Sequence, residues 1–176
     1  RLIVMPVTPL HCSVAYLINR WKPQLSLPAL LVSSMVPDLE IPILFLVTGG
    51  FQDRLVLHSL LGAATLGMFL SVLLTIFLYP HVVSFFFKLD RGRVGEKCRF
   101  SNVLVASCVV GGVLHVIVAS MNHEFNPVLY PFVPDSFDVL RLTKDWASST
   151  LIVGSVLLGL LIFFFVDGIR KGTRDF

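Results

Sequence analysis

The chain has 176 residues, of which 55% are hydrophobic and 14% charged, and its mean hydropathy is +0.83. This composition excludes an ordinary soluble domain and a disordered chain, while the length suits a single domain over residues 1–176. A net charge of +3 gives no reason to propose nucleic acid, because membrane topology has its own use for clustered basic residues.

Arg1–Val4 precede Met5, which reads as the native start, and the segment lacks the small-residue cleavage site of a secretory signal peptide. Residues 10–19 predict about three helical turns, roughly 15 Å of rise, too short for a hydrocarbon core of about 30 Å. They read as a half-helix starting within the membrane, with Pro6 and Pro9 at its entry. Residues 27–48 are long enough to span. Pro37-Asp38-Leu39-Glu40-Ile41-Pro42 lies in the middle of that segment and predicts a broken helix, which survives at membrane depth only where protein or a wet cavity covers it.

From Leu55 to Phe87 there is no Asp, Glu, Lys or Arg. That run exceeds one crossing, so a span over 55–79 is predicted, closed by Pro80. An inner basic loop follows at 88–100, then a span over 103–121 whose Gly111-Gly112 pair allows close helix contact. Residues 122–147 carry Pro127, Pro131 and Pro134 among aromatics and read as a compact outer cap. A last span over 148–167 leads into a basic tail. The fold class is therefore all-α: an integral membrane bundle of about four transmembrane helices plus the N-terminal half-helix, one of the four being broken.

Basic residues cluster at Arg20 and Lys22, between Lys88 and Arg99, and at Arg170, Lys171 and Arg174, whereas the opposite turns hold only Arg54, Arg141 and Lys144. The positive-inside rule places the basic loops and the C-terminus in the cytoplasm of a multi-pass cell-membrane protein. Cys12, Cys98 and Cys108 form no CxxC pair and indicate neither a disulfide framework nor a thiolate metal site.

Polar residues gather in the outer half. His115 and His123 are eight residues apart, so helical spacing puts both on one face, with Ala119 between them. His11 opens the half-helix, His58 lies at the outer end of the second long run, and Asp38 and Glu40 sit in the break. Ionisable groups at this depth are costly and mark functional sites. Histidine with carboxylate suits a divalent metal, Zn²⁺ first and Mn²⁺ or Fe²⁺ as alternatives, and such an ion acidifies water for attack on esters, amides or phosphoesters. His81, after Pro80, reads as structural, and Glu124, Asp135 and Asp138 as solvated loop acids or caps.

The ordered set Met5-Pro-Val-Thr-Pro-Leu-His11, Ser34-Met-Val-Pro-Asp38-Leu-Glu40, Leu57-His58-Ser59-Leu-Leu-Gly62, Leu114-His115 to His123 and Asn126-Pro127-Val-Leu-Tyr-Pro131-Phe132 resembles a family of small polytopic membrane proteins related to membrane-bound metal-dependent hydrolases. The resemblance covers roughly residues 5–135. It implies His11, Asp38, His58, His115 and His123 as metal ligands and an Asp four residues after His115, where this chain has Ala119.

The leading expectation is a membrane-embedded hydrolase of a lipid-linked ester or phosphoester, with Glu40 as base and His11 as ligand or proton shuttle. The alternatives are a metal-binding or transport module, and a non-catalytic subunit or pseudoenzyme that binds a partner protein. Transport would require polar residues in the inner half, which offers only Ser71, Thr75 and Ser107. Ala119 keeps the non-catalytic alternative open. Partners are thus a membrane lipid or lipid-linked substrate and no nucleic acid, with a homo-oligomer or a membrane protein partner left open; Gly62, Gly67, Gly111 and Gly112 offer close-packing surfaces within or between chains.

Overall fold

The computed structural model describes residues 8–171. The expected start at Met5 and the tail residue Arg174 lie outside the described residues. All regular structure among those described is helical.

A 3₁₀ turn over Thr8–His11 leads into α1 (Cys12–Trp21). After a tight turn, Ser26 caps α2 (Leu27–Ser33) by accepting from Ala29 N, with Pro28 in the first turn, where a missing N–H costs nothing. The backbone then tightens into a 3₁₀ turn over Val36–Leu39 before α3 (Glu40–Thr48). Pro37 occupies the start of the 3₁₀ turn and Pro42 the first turn of α3, so the break falls where both prolines are tolerated. Gly49, at φ 64°, ends α3 in the left-handed conformation.

The long helix α4 runs Leu60–Phe87. Its start and end differ from the predicted span over 55–79. Residues 55–59 form an irregular loop, because the backbone there serves a buried carboxylate (below) and Ser59 caps the helix by accepting from Gly62 N at 2.9 Å. Pro80 does not close the span. A π-helical segment, Leu74–Leu78, immediately precedes the Tyr79–Phe87 α-helix with Pro80 in its first turn; the wider turn absorbs the proline within a continuous helix. A second π segment covers Ala63–Gly67. The basic loop contains α5 (Arg91–Lys97), capped by Asp90, whose Oδ1 accepts from Arg93 N at 2.8 Å. Val94 and Cys98 pack there against Val83, Tyr79 and Leu89.

Capped by Ser101, α6 (Asn102–Ser120) is the central helix. Half of its most apolar window is buried, against 22% for α7 (Trp146–Lys171). Asp145 caps α7: hydrogen bonds donated by the Ser148 hydroxyl and backbone hold its carboxyl below the ordinary carboxylate range. Four helical segments, Leu27–Thr48, Leu60–Phe87, Asn102–Ser120 and Trp146–Gly168, are long and apolar enough to cross a membrane. Their outward faces carry Leu46, Phe69, Leu151 and Phe165, all exposed. Apolar side chains on the outside and buried serines, histidines and carboxylates inside are the pattern of a bundle in lipid. The protein is an integral membrane protein.

The core lies where α2, α4 and α6 meet. Ala29, Val72, Leu104 and Cys108 are packed together with Met68, Ile76 and Val105. Small residues set the approach. A Cβ at Gly111 would overlap the Ser33 hydroxyl and stand 2.9 Å from the Leu30 carbonyl oxygen, and one at Gly62 would overlap the Val56 carbonyl. The glycines thus make close contacts within the chain. Gly111→Ala is expected to lower stability by about 1–3 kcal/mol through overpacking, while Gly154→Ala, whose Cβ meets nothing within 4 Å, leaves the thermal midpoint in detergent unchanged or slightly raised.

Candidate metal centre

The break between α2 and α3 delivers Asp38 into the bundle. From α6, His115 approaches it with Nε2 at 3.4 Å from Asp38 Oδ1, and from the α3–α4 loop His58 brings Nε2 to 3.5 Å from the same oxygen. His11, at the last residue of the first 3₁₀ turn, stacks on His115 with ring centroids 4.1 Å apart. Ligand atoms of His11, Asp38 and His115 all lie within 4.8 Å of one another. The three imidazoles are almost completely buried, and Asp38 is 9% exposed.

The far nitrogens of two rings are fixed by neighbours. His115 Nδ1 is 2.7 Å from the Ser34 carbonyl oxygen, an acceptor only, so this nitrogen carries the proton and Nε2 presents a lone pair toward Asp38. His58 Nδ1 lies 3.2 Å from Glu40 Oε2, which holds that ring from the side opposite Asp38. The inner nitrogens, His58 Nε2 and His115 Nε2, have no hydrogen-bond partner, nor do either nitrogen of His11 or Oδ2 of Asp38. Buried polar atoms are rarely left so. His11, Asp38 and His115 could together hold a metal ion, and a carbonyl and a second carboxylate stand behind the imidazoles of His115 and His58.

Glu40 is not a free carboxylate. Its Oε1 accepts from Val56 N at 2.6 Å, and its Oε2 from Leu57 N at 2.9 Å and His58 N at 3.3 Å, in addition to facing the His58 ring. It therefore anchors the 56–58 backbone and orients an imidazole, and these contacts leave it poorly placed as a base. His123 is buried beyond the end of α6, one turn past Ala119, whose carbonyl accepts from His123 N at 3.2 Å. Like His58, which reaches Asp38 alone of the three, it lies outside the close grouping of His11, Asp38 and His115. Burial, with the charge of Arg54 adding to it, holds its imidazole well below the ordinary histidine range, in the neutral form. Ala119 itself is buried, 3% exposed.

The outer loop covers this end of the bundle. Asn126 donates from Nδ2 to the His123 carbonyl (3.0 Å) and to Asp138 Oδ1 (3.3 Å), and the Leu60 N–H donates to Val128 O at 3.0 Å, tying the loop to the start of α4. Asp138, expected as a solvated acid or cap, is exposed, and its carboxylate is also held by Ser136, Asn126 and Arg141. Beside the imidazoles, a small cleft lined by His11, Val14, Ala15, Ser34, Gly111 and His115 separates α1 from α6. His81 is exposed and stands apart from the site.

A model of the YdjM inner membrane protein family matches residues 9–172. The chain belongs to the YdjM inner membrane protein family. The match takes in all four spans and every residue of the buried cluster, so the cluster belongs to the YdjM region of the chain. Neither a curated protein nor a solved structure matches it.

Sequence reading gave Arg54 only a topological role and missed the Ser34 carbonyl. Arg54 is 7% exposed in the loop that carries His58; the signal that marks it is a lone arginine close in sequence to a buried histidine. Glu40→Gln places an amide against backbone N–H donors and leaves His58 Nδ1 unsupported. It is expected to lower stability by about 1–3 kcal/mol, read as a drop in the thermal midpoint in detergent.

Proposed function

We propose that this YdjM-family protein holds a divalent metal, Zn²⁺ first and Mn²⁺ or Fe²⁺ as alternatives, and hydrolyses a lipid-linked ester or phosphoester within the membrane. The carrying observation is the convergence of unpartnered His58 Nε2 and His115 Nε2 on Asp38 beside His11, with both outer nitrogens fixed. A bland buried-histidine cluster would satisfy both nitrogens of each ring, and this one does not. The earlier resemblance to membrane-bound metal-dependent hydrolases agrees with this reading.

His58, His115 and Asp38 would hold the ion, with His11 as a further ligand or proton carrier. When bound, a divalent ion supplies Lewis acidity and acidifies water, which suits ester and phosphoester hydrolysis. Ser34 keeps the His115 imidazole in the ligating tautomer, and Glu40 holds the His58 ring from the side opposite Asp38. With Glu40 occupied by backbone donors, His11 is the better candidate to move a proton, since both of its nitrogens lack a partner. His123 is proposed as an outer-lying residue of the same site. A lipid-linked substrate follows from the depth of the cluster, and the basic loops and C-terminus are proposed to face the cytoplasm.

Ala119 supports a second reading. A small apolar residue is buried between His115 and His123, where the resemblance implies a carboxylate, and this favours a metal-binding or partner-binding protein without turnover.

Elemental analysis of detergent-purified protein tests the centre. Near-stoichiometric metal is expected in the wild type and in His81→Ala, loss in His115→Ala and Asp38→Asn, and an affinity weakened about 10–100-fold in Glu40→Gln. Metal retained in both His115→Ala and Asp38→Asn would overturn the assignment. Hydrolysis that appears only in Ala119→Asp would select the reading without turnover.

A further inference from the structure

Among the described residues, Arg54 is a buried charged group in the loop that carries His58, and the metal reading does not use it. It stands in the α3–α4 loop, two residues before the Val56–His58 backbone held by Glu40, and only 7% of it is exposed. An arginine carries five N–H donors and stays charged, so burial demands acceptors. Among the described residues its ion pair is with the adjacent Asp53, Nη1 to Oδ2 at 2.9 Å, and the Asp53 side chain is 44% exposed. Nε is buried with no hydrogen-bond partner. Asp38 and Glu40 also lie within Coulombic reach of the guanidinium, as do His11 and His123. Neither carboxylate answers its donors: Glu40 is taken by three backbone N–H groups and His58, and Asp38 faces two imidazoles.

A buried guanidinium whose Nε lacks a partner and whose Nη1 is held only by a half-exposed neighbour suits a planar or tetrahedral oxyanion, which can accept from the edge of the fork. A neutral carboxylic ester offers no such charge. Resting on the metal-hydrolase reading, we propose that Arg54 is the anion-recognising residue of the site and that the substrate is a phosphoester, bound through its non-bridging phosphate oxygens. Asp53 competes for the same fork from the exposed side of the loop.

The test is titration of purified wild type, Arg54→Lys, Arg54→Gln and Asp53→Asn with inorganic phosphate and, separately, with a short-chain phosphatidic acid, by calorimetry. Zinc, manganese and iron occupancy and thermal midpoint are measured on the same samples. Expected is phosphate binding by the wild type, at least a tenfold loss in Arg54→Gln, a smaller loss in Arg54→Lys, and tighter binding in Asp53→Asn, with zinc unchanged throughout. A purely structural Arg54 would not bind tighter on removal of Asp53. Preference for the phosphatidic acid assigns a lipid headgroup; equal binding of both assigns the phosphate alone. Undiminished phosphate binding by Arg54→Gln, or none by the wild type, overturns the proposal. Phosphate bound through Arg54 in a wild type that holds neither zinc, manganese nor iron would leave the anion site standing and remove the hydrolase reading.

Discussion

A carboxylate inside an apolar bundle must be answered by its neighbours, and Asp38 is the point from which the rest of this structure follows. Burial takes it from solvent, the helix that carries it is broken, three histidines from three other segments are drawn around it, and small residues let those segments close in. The glycine at 111 brings α6 against α2 closely enough for His115 to reach the Ser34 carbonyl on one side and Asp38 on the other. Polar demand and close packing therefore specify the same geometry.

Glu40 extends that logic outward. Two residues past Asp38, it does for the loop what a helix cap does for a helix: it accepts from three successive N–H groups that would otherwise be buried without partners. In doing so it places His58 without a regular element beneath it. The loop is consequently a rigid part of the site, and it brings a buried arginine to the edge of the cluster. A single carboxylate thereby positions both an imidazole and a guanidinium.

Much of this was legible in the sequence. Uncharged runs marked the spans, paired prolines around two acids marked the break, and histidines in apolar context marked the residues that the structure brings together. The limits were equally physical. The apolar run from Leu55 promised five more residues of helix than the structure has, because Glu40 claims that backbone and nothing local reveals the claim. Pro80 read as a terminator because a π turn that accommodates it leaves no compositional trace. Glu40 looked like a free base since its partners are main-chain groups, which no residue code displays. Which nitrogen of each imidazole faces Asp38 depends on a carbonyl at Ser34 and on that same glutamate, both remote in sequence from the rings they fix.

The assembly of the cluster from separate stretches of chain has a consequence for biogenesis. His115 follows Asp38 by 77 residues, an interval of about 4–15 s at ordinary synthesis rates. Throughout that interval the nascent broken helix carries its acid with at most His11 and His58 for company. Until α6 is inserted, Asp38 lacks the imidazole of His115 and the helix that covers it. Completion of the third span is then also the moment at which the cluster is assembled, so the site cannot precede the helix that closes it.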